Sequence, residues 1–247
     1  MGVAGPVALV TGGARRVGRA IVLELARAGC DVAIHYRTSR TEAEEVAGEV
    51  SRTGRRALAI EADLSTPASW PQVIRQTVEG LGGLGILINN ASLIATGAPD
   101  TIEGFSLASW ERLLRLNLTA PMALAHHARP YLEKQEGGKI VNLCDISADR
   151  PWPTHLAYCV SKAALAALTV GLAKALAPRV RVNGIAPGIA VFSDDYPQER
   201  RAALISRIPL GRTGTPEDIA RAVRFLVESG DYITGEIIRV DGGRSVV

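Results

Sequence analysis

The stretch Val7-Ala8-Leu9-Val10-Thr11-Gly12-Gly13-Ala14-Arg15-Arg16-Val17-Gly18 joins a short apolar run to a glycine-containing turn. Gly12 and Gly18 flank the predicted passage from a strand into a helix. Glycine there permits unusual backbone angles and lets phosphate groups approach closely. The helix start presents free N–H groups and a partial positive charge, which suit a pyrophosphate. Although Arg16 stands where G-x-G-x-x-G would have a glycine, the stretch predicts a nucleotide-binding strand–turn–helix unit.

The rest of the chain continues this alternation of short apolar runs and helix-like stretches. The predicted strands are Val7–Val10, Val32–Tyr36, Ala57–Glu61, Ile86–Asn89, Lys139–Leu143, Val180–Ile185 and Ile237–Val240. The predicted helices are Arg19–Ala28, Arg40–Thr53, Ser69–Leu81, Ser109–Tyr131, Ala157–Leu176 and Thr215–Glu228. Apolar strands separated by helices are typical of a parallel sheet covered on both faces. We therefore predict one α/β domain over residues 1–247, a Rossmann-type doubly wound parallel sheet of about seven strands.

Composition narrows the class of protein. Hydrophobic residues make up 47% and charged residues 21% of the chain, which is typical of a globular protein. The net charge of +3 is too small to indicate nucleic-acid binding. No apolar run is expected to approach the roughly 18–20 residues of a membrane span, and no signal peptide is apparent. The three cysteines lack C-x-x-C spacing, so we expect no metal site, no disulfide framework and a cytoplasmic location.

The end of the second predicted strand indicates which nucleotide would bind. The segment His35-Tyr36-Arg37-Thr38-Ser39-Arg40 has no acid to bond a ribose 2′-hydroxyl. Arg37 and Ser39, together with Arg16, suit a 2′-phosphate instead. Asp31 precedes the strand and is expected at its opposite end. The sequence therefore predicts NADPH as cofactor, the alternative being that Arg37 and Arg40 are solvated loop charges.

A second motif, Tyr158-x-x-x-Lys162, indicates acid chemistry. Residues four apart share one face of a helix, so the lysine charge is expected to lower the tyrosine pKa from about 10 and favour proton transfer. Asp145 lies thirteen residues before the tyrosine. The spacing alone is common in proteins, and only the further motifs along the chain give it weight.

These motifs together resemble the short-chain dehydrogenase/reductase family. The matching segments are Thr11-Gly12…Gly18, Ala62-Asp63-Leu64, Asn89-Asn90-Ala91, Asn117, Tyr158…Lys162, Asn183…Pro187-Gly188 and Asp241-Gly242-Gly243. The resemblance implies catalytic roles for Tyr158, Lys162 and Asn117, the last in a water-linked proton relay. It also suggests a homotetramer, and the apolar helix after Tyr158 would suit a subunit interface.

The same resemblance, with the two motifs above, implies a set of cofactor-binding residues. Asp63 and Leu64 would border the adenine, and Lys162 would also hold the nicotinamide ribose. The predicted set is Thr11, Gly12, Arg15, Arg16, Val17, Gly18, His35, Tyr36, Arg37, Ser39, Asp63, Leu64, Asn90, Ala91, Ser92, Lys162, Pro187, Gly188 and Ile189.

Departures from the general family pattern point to one branch. Asp145 stands where the family has a carbonyl-polarising serine, and Ser147 is two residues out of place. The other departures are Arg16, Asn90-Ala91-Ser92, and Pro187-Gly188-Ile189-Ala190-Val191 without the usual threonine. With His35-Tyr36-Arg37-Thr38-Ser39 and Asp194-Asp195, they resemble the pteridine reductase and dihydromonapterin reductase branch.

That branch implies a pterin or folate substrate, reduced at a C=N bond. Reduction needs a proton for the ring nitrogen, which Asp145 and Tyr158 would supply. The implied substrate-binding residues are Arg16, Ser92, Ile94, Asp145 and Tyr158. Ile94 replaces an aromatic residue of the eukaryotic enzymes, so stacking would come from Trp152, Phe192 or Tyr196, or be replaced by aliphatic packing. The polar segment at about 190–207 would form a lid.

Two alternatives remain open. One is a carbonyl reductase of a 3-oxoacyl thioester or sugar ketone, which Asp145 disfavours because a carboxylate repels a developing oxyanion. The other is a non-catalytic cofactor sensor, which would need neither Tyr158, Lys162 nor Asn117.

Overall fold

The computed structural model describes residues 5–94, 101–135, 137–192 and 196–247. Within them, seven strands form one parallel sheet in the order β3-β2-β1-β4-β5-β6-β7. The strands are β1 (Val7–Val10), β2 (Asp31–Tyr36), β3 (Ala57–Glu61), β4 (Ile86–Asn89), β5 (Gly138–Leu143), β6 (Val180–Pro187) and β7 (Ile237–Val240). The predicted doubly wound α/β sheet is confirmed.

The helices follow the prediction except at two places. They are α1 (Arg16–Arg27), α2 (Arg40–Arg52), α3 (Ser69–Leu81), α4 (Leu107–Leu114), α5 (Ala120–Leu132), α6 (Leu156–Leu176), α7 (Gln198–Ile205) and α8 (Pro216–Glu228). The helix predicted over Ser109–Tyr131 lies within one continuous helical stretch, but a π-helical turn at Arg115–Thr119 stands between α4 and α5, which the sequence did not predict. The sequence analysis also missed α7, which lies inside the predicted lid.

Helices cover both faces of the sheet because successive strand residues point to opposite sides. Ala8 and Val10 of β1 belong to one apolar core with α1, α2 and α8. Val7 and Leu9 of the same strand belong to a second core with α3, α5 and α6. Burial on both faces explains why the strands read as continuous apolar runs.

Helix α6 corrects the expectation about membrane-length segments. It is 21 residues long with a mean hydropathy of 1.7, enough to cross a membrane by length and composition. However, 44% of its most apolar window is buried inside the protein, and Leu172, Ala173 and Leu176 pack in the second core. These are also the properties of a core helix in a globular protein.

The topology creates a crevice at the carboxyl ends of β1 and β4. The chain leaves β1 toward β2 and β3 on one side, and β4 begins the run toward β7 on the other. Ligands of open α/β sheets bind at such a switch point. At the opposite edge, the Asp31 carboxylate pairs with Arg55 and Arg56 at 2.8 Å each, which confirms its predicted position away from the crevice.

The start of α8 offers a test of local stability. The Thr215 hydroxyl accepts from the Asp218 N–H at 3.2 Å, and the Asp218 carboxylate accepts from the Thr215 N–H at 3.0 Å. Thr215→Ala removes half of this capping box, so we expect a loss of about 1 kcal/mol in unfolding free energy, or roughly 2–4 °C in Tm. Thr213→Ala, in the same loop, is the control, since its hydroxyl makes no hydrogen bond within the described residues. Equal melting temperatures for the two variants would contradict the assignment.

Candidate active site

A cleft of about 530 Å³ lies at the switch point. Sixteen of the predicted cofactor-binding residues line it: Gly12, Arg15, Arg16, Val17, Gly18, His35, Tyr36, Arg37, Ser39, Asp63, Leu64, Asn90, Ala91, Ser92, Pro187 and Gly188. Ile94 and Tyr158 of the predicted substrate site line it too. Thr11, Lys162 and Ile189 do not line it, and neither does Asp145 of the predicted substrate site. The cleft-lining residues that the predicted set lacked are Ala14, Thr38, Leu93, Leu116, Ala190 and Val191.

The β1–α1 turn is too tight for side chains at its glycines. A Cβ added to Gly18 would lie 2.0 Å from the Gly12 carbonyl oxygen and 2.7 Å from the Asn90 amide nitrogen. Gly12 itself has a φ of 63°. The cleft floor is therefore bare backbone beside the start of α1, where N–H groups favour phosphate. These features fit a dinucleotide.

Arg16 occupies the turn in a glycine-like conformation. Its φ of 51° is unusual for a residue with a side chain, and such backbones cost about 1–3 kcal/mol. The side chain is exposed and lines the cleft. The strain therefore holds a guanidinium group beside the phosphate-binding backbone.

Thr11 and His35 brace the turn through buried side chains. The Thr11 hydroxyl accepts from the N–H groups of Asn90 and Ala91 at 2.9 Å each and donates to the Ile88 carbonyl. His35 Nδ1 accepts from the Gly12 N–H at 3.1 Å, and Nε2 lies 3.1 Å from the Ala62 carbonyl oxygen. With these groups bonded inside the protein, both residues hold the loops around the cleft in place, and His35 also lines it.

The exposed arginines differ in their partners. Arg15 pairs with Glu42 at 3.6 Å, and Arg40 pairs with Glu61 at 2.5 Å. Arg16 and Arg37 have no ion pair with any residue that the structure describes, and both line the cleft. Their charges are therefore free to meet an anion there.

Tyr158 and Asp145 form a direct pair. The tyrosine hydroxyl donates to Asp145 Oδ2 at 2.8 Å, while Oδ1 accepts from the Ser147 N–H at 2.7 Å. Burial and the neighbouring Asp145 raise the pKa of Tyr158 well above its usual value of about 10. The prediction that Lys162 lowers this pKa is therefore wrong for this arrangement, because a carboxylate acceptor stabilises the protonated phenol.

Lys162 is buried behind the tyrosine and does not reach its hydroxyl group through a hydrogen bond. Its ammonium donates to the Leu143 carbonyl at 2.7 Å and lies 5.7 Å from the centroid of the Tyr158 ring. Burial lowers the pKa of Lys162, while the charge of Asp145 acts in the opposite direction. The ammonium of Lys162 therefore interacts favourably with the half-buried Asp145 carboxylate without a hydrogen bond to the tyrosine hydroxyl.

Asn117 sits in the π-helical turn, and its amide is fully used. Its Nδ2 donates to the Leu93 carbonyl at 2.8 Å and to the Ser161 hydroxyl at 2.9 Å. Its Oδ1 accepts from the Leu93 N–H and the Ser92 hydroxyl. An amide has two donors and two lone pairs, so this side chain has none left for a water-linked relay. It instead holds Ser92 and Leu93 at the cleft wall.

Comparison with known proteins places the chain in a family. A family model described as enoyl-(acyl carrier protein) reductase matches residues 12–245. The chain belongs to the short-chain dehydrogenase/reductase family. It is 37% identical over 248 residues to a 3-oxoacyl-(acyl-carrier-protein) reductase of Aquifex aeolicus, covering 97% of each chain.

Two solved structures of this family are similar throughout. The FolM alternative dihydrofolate reductase 1 of Brucella canis, complexed with NADP, has a TM-score of 0.90 and 37% identity, covering 99% of this chain and 96% of that one. A blue fluorescent protein from a metagenomic library, in complex with NADPH, has a TM-score of 0.90 and 35% identity, covering 99% of each chain.

Position 145 separates this short-chain reductase from the general pattern of its family. Ser147 does not replace the missing serine, because it is fully buried and its hydroxyl has no partner within the described residues. The group that faces the Tyr158 hydroxyl is therefore a carboxylate.

The described walls near Tyr158 are mostly aliphatic. Ile94, Leu116 and Val191 line the cleft. Trp152 instead stacks against the Tyr158 ring itself, with centroids 6.2 Å apart and planes 18° apart. Phe192 and Tyr196 pack on each other at 5.1 Å. Of the open choices for the substrate wall, the structure favours aliphatic packing. Asp194 and Asp195, within the proposed lid, lie outside the described residues.

Because His35 is buried, we expect the folded protein to lose stability in acid. Burial lowers its pKa to about 4 from 6.5, so between these values the unfolded chain binds a proton that the folded chain does not. Stability from this residue is complete above about pH 6.5 and falls by about 3 kcal/mol as the pH drops to about 4. His35→Gln keeps a donor and an acceptor without titrating. We expect the unfolding free energy, measured with urea, to fall less for the variant than for the wild type as the pH drops. An equal fall for both proteins would contradict this role.

Proposed function

We propose that this protein is an NADPH-dependent reductase that transfers hydride to a C=N bond of a pterin. It would convert a dihydropterin or dihydrofolate to the tetrahydro form. The observation that carries the proposal is the 2.8 Å hydrogen bond from the hydroxyl of Tyr158, which lines the cleft, to Asp145. We further propose a cytoplasmic homotetramer whose interface includes the outer face of α6, where Val160 and Val170 are exposed.

The cleft residues suit NADPH in particular. The bare backbone at Gly12 and Gly18 would hold the pyrophosphate, while Arg37 and Arg16 would bond the 2′-phosphate. Asp63 would lie near the adenosine, where its carboxylate is already held by Ser65 at 2.7 Å. When bound, the dihydronicotinamide supplies the hydride. The solved relatives complexed with NADP and NADPH support this assignment.

Tyr158 and Asp145 would deliver the matching proton. The raised pKa of Tyr158 keeps its phenol protonated at neutral pH, so it is a donor and not a base. Donation to a ring nitrogen needs a replacement proton, which would come from solvent and pass through Asp145 across the same 2.8 Å contact. Charge at this pair is balanced by the buried Lys162 ammonium.

The alternative is a carbonyl reductase of the 3-oxoacyl thioester or sugar-ketone type. Its support is the Aquifex aeolicus 3-oxoacyl-(acyl-carrier-protein) reductase, whose identity of 37% equals that of the Brucella canis FolM protein. Overall identity therefore does not separate the two functions. The carboxylate supports the pterin proposal, because an ionised Asp145 would repel the oxyanion that forms during carbonyl reduction.

The direct test is the oxidation of NADPH, followed by absorbance, with four substrates. We expect turnover with dihydrobiopterin, dihydromonapterin or dihydrofolate and none with an acetoacetyl thioester. NADH serves as the cofactor comparison. Turnover of the thioester alone would sink the pterin proposal and establish the carbonyl reductase.

Substitutions at Asp145 test its part in proton delivery. Asp145→Ser restores the general family residue. We expect kcat with dihydropterin to fall by about 10²–10⁴-fold, because the carboxyl group that passes the replacement proton to Tyr158 is lost. Asp149→Ser is the matched control, since Asp149 is exposed and its carboxylate pairs with Arg239 at 2.6 Å. An unchanged kcat for Asp145→Ser would remove Asp145 from the mechanism.

Arg37 tests the choice of cofactor. Arg37→Ala deletes a free guanidinium at the proposed 2′-phosphate site, so the Kd of NADPH should rise by at least tenfold while that of NADH stays unchanged. Arg40→Ala is the control, because Arg40 is already paired with Glu61. Equal weakening of both nucleotides by Arg37→Ala would show that Arg37 does not read the phosphate.

A further inference from the structure

Trp152 stands between the cleft and a second cavity of about 770 Å³. Three segments that are distant in the chain enclose the second cavity, from the stretches 146–152, 206–209 and 244–247. Among the residues that the structure describes, the cleft and the second cavity share no lining side chain. Trp152 lines the second cavity, and its ring stacks on that of Tyr158, which lines the cleft. The indole is therefore the wall between the tyrosine and the second cavity.

The second cavity brings water to this wall. Arg150, Arg207 and Arg244 line it, and Arg150 and Arg207 are exposed. Arg207 and Arg244 have no ion pair within the part of the chain that the structure describes. A guanidinium group without a carboxylate partner keeps its hydration, because burying an unpaired charge is costly. Solvent therefore reaches the indole of Trp152 from the side of the second cavity.

The backbone of Trp152 is tied to the first turns of α6. Its N–H donates to Cys159 Sγ at 3.2 Å, and its carbonyl accepts from the His155 N–H at 3.1 Å. The His155 ring packs edge-on against the indole, with centroids 6.0 Å apart and planes at 88°. Because α6 also carries Tyr158, these contacts fix the indole relative to the tyrosine ring.

The stack restrains a part of Tyr158 that its hydrogen bond leaves free. The hydroxyl is held at one point, by Asp145 at 2.8 Å. A phenol ring can still turn about its χ2 torsion, whose energy well is broad. The indole plane lies within 18° of the phenol plane, with centroids 6.2 Å apart, which is an offset-stacked arrangement. Together the hydrogen bond and the stack set both the position and the plane of the ring.

We infer that Trp152 is a positioning residue for proton donation, whose indole holds the Tyr158 ring in place and shields it from the water of the second cavity. This role rests on the proposed function, in which the Tyr158 hydroxyl donates the proton. Trp152 acts through the tyrosine and does not line the cleft, where cofactor and substrate would bind. Without the indole, the ring would gain freedom of motion and contact with water at the same time.

Contact with water would change the alkaline limit of the reaction. Burial is the main cause that raises the pKa of Tyr158, and Asp145 is the next. Removing the indole relieves the burial, so this pKa falls and the phenol loses its proton at a lower pH. The charged and titratable groups that face the ring stay in place, since Trp152→Ala keeps the backbone N–H; they are Asp145, Lys162, Cys144 and Cys159.

Kinetics over a range of pH tests the role of Trp152. With NADPH and dihydropterin, we expect Trp152→Ala to lower kcat by about ten- to a hundredfold and to move the alkaline loss of kcat to lower pH, with the KM of NADPH little changed. Trp152→Phe keeps an aromatic face and should restore most of both. Ile208→Ala is the matched control, because it enlarges the second cavity from a wall that does not line the cleft, and should behave like wild type.

Ultraviolet titration tests the shielding without any turnover. The difference in tyrosinate absorbance between each protein and its own Tyr158→Phe counterpart isolates this one tyrosine. We expect Tyr158 to ionise at a lower pH in Trp152→Ala than in wild type or in Ile208→Ala. If melting shows that Trp152→Ala does not fold, Trp152→Leu takes its place, since it is apolar but has no aromatic face.

Three results would overturn the inference: an unchanged kcat and Tyr158 ionisation in Trp152→Ala, the same changes in Ile208→Ala, or no recovery in Trp152→Phe. Failure of every pterin to turn over would sink the proposed function instead, and the titration would still decide on Trp152.

Discussion

The close approach of Gly18 to the Gly12 carbonyl is the constraint on which the site depends. With only 2.0 Å between that oxygen and an added Cβ, the β1–α1 turn has one compact conformation. Thr11 ties the turn to the end of β4 and His35 ties it to β2 and Ala62. These hydrogen bonds fix three loops around the switch point relative to one another. They also fix the β1–α1 turn in which Arg16 keeps its strained backbone conformation.

A second set of polar groups organises the chemistry. The half-buried Asp145 and the buried Tyr158 and Lys162 bring a carboxylate, a phenol and an ammonium close together. Isolated charges are costly away from water, so a neighbouring opposite charge is favourable. The lysine bonds the backbone of β5 and leaves the tyrosine hydroxyl to the aspartate. Burial and this aspartate raise the pKa of Tyr158, which suits the proton-donor role that we propose for it.

Substrate choice within this family depends on few positions. Equal identity to a 3-oxoacyl reductase and to an alternative dihydrofolate reductase shows how little the shared fold says about the substrate. Our proposal of a pterin substrate therefore rests on the residue opposite the tyrosine and on the aliphatic walls of the cleft.

The sequence by itself determined the fold class, the strands within two residues, and most of the residues that line the nucleotide cleft. These follow from local patterns, because strand burial and glycine turns depend on near neighbours in the chain. Only the tertiary structure decided how the polar groups are paired. In the π-helical turn at Arg115–Thr119, Asn117 bonds Leu93 and Ser161, residues that lie 24 and 44 positions away, so no local pattern could have predicted it. The spacing of Tyr158 and Lys162 suggested a lowered tyrosine pKa, but burial and the bond to Asp145 reverse it. Likewise, Arg150, Arg207 and Arg244 share no motif, and the fold alone gathers them at one cavity.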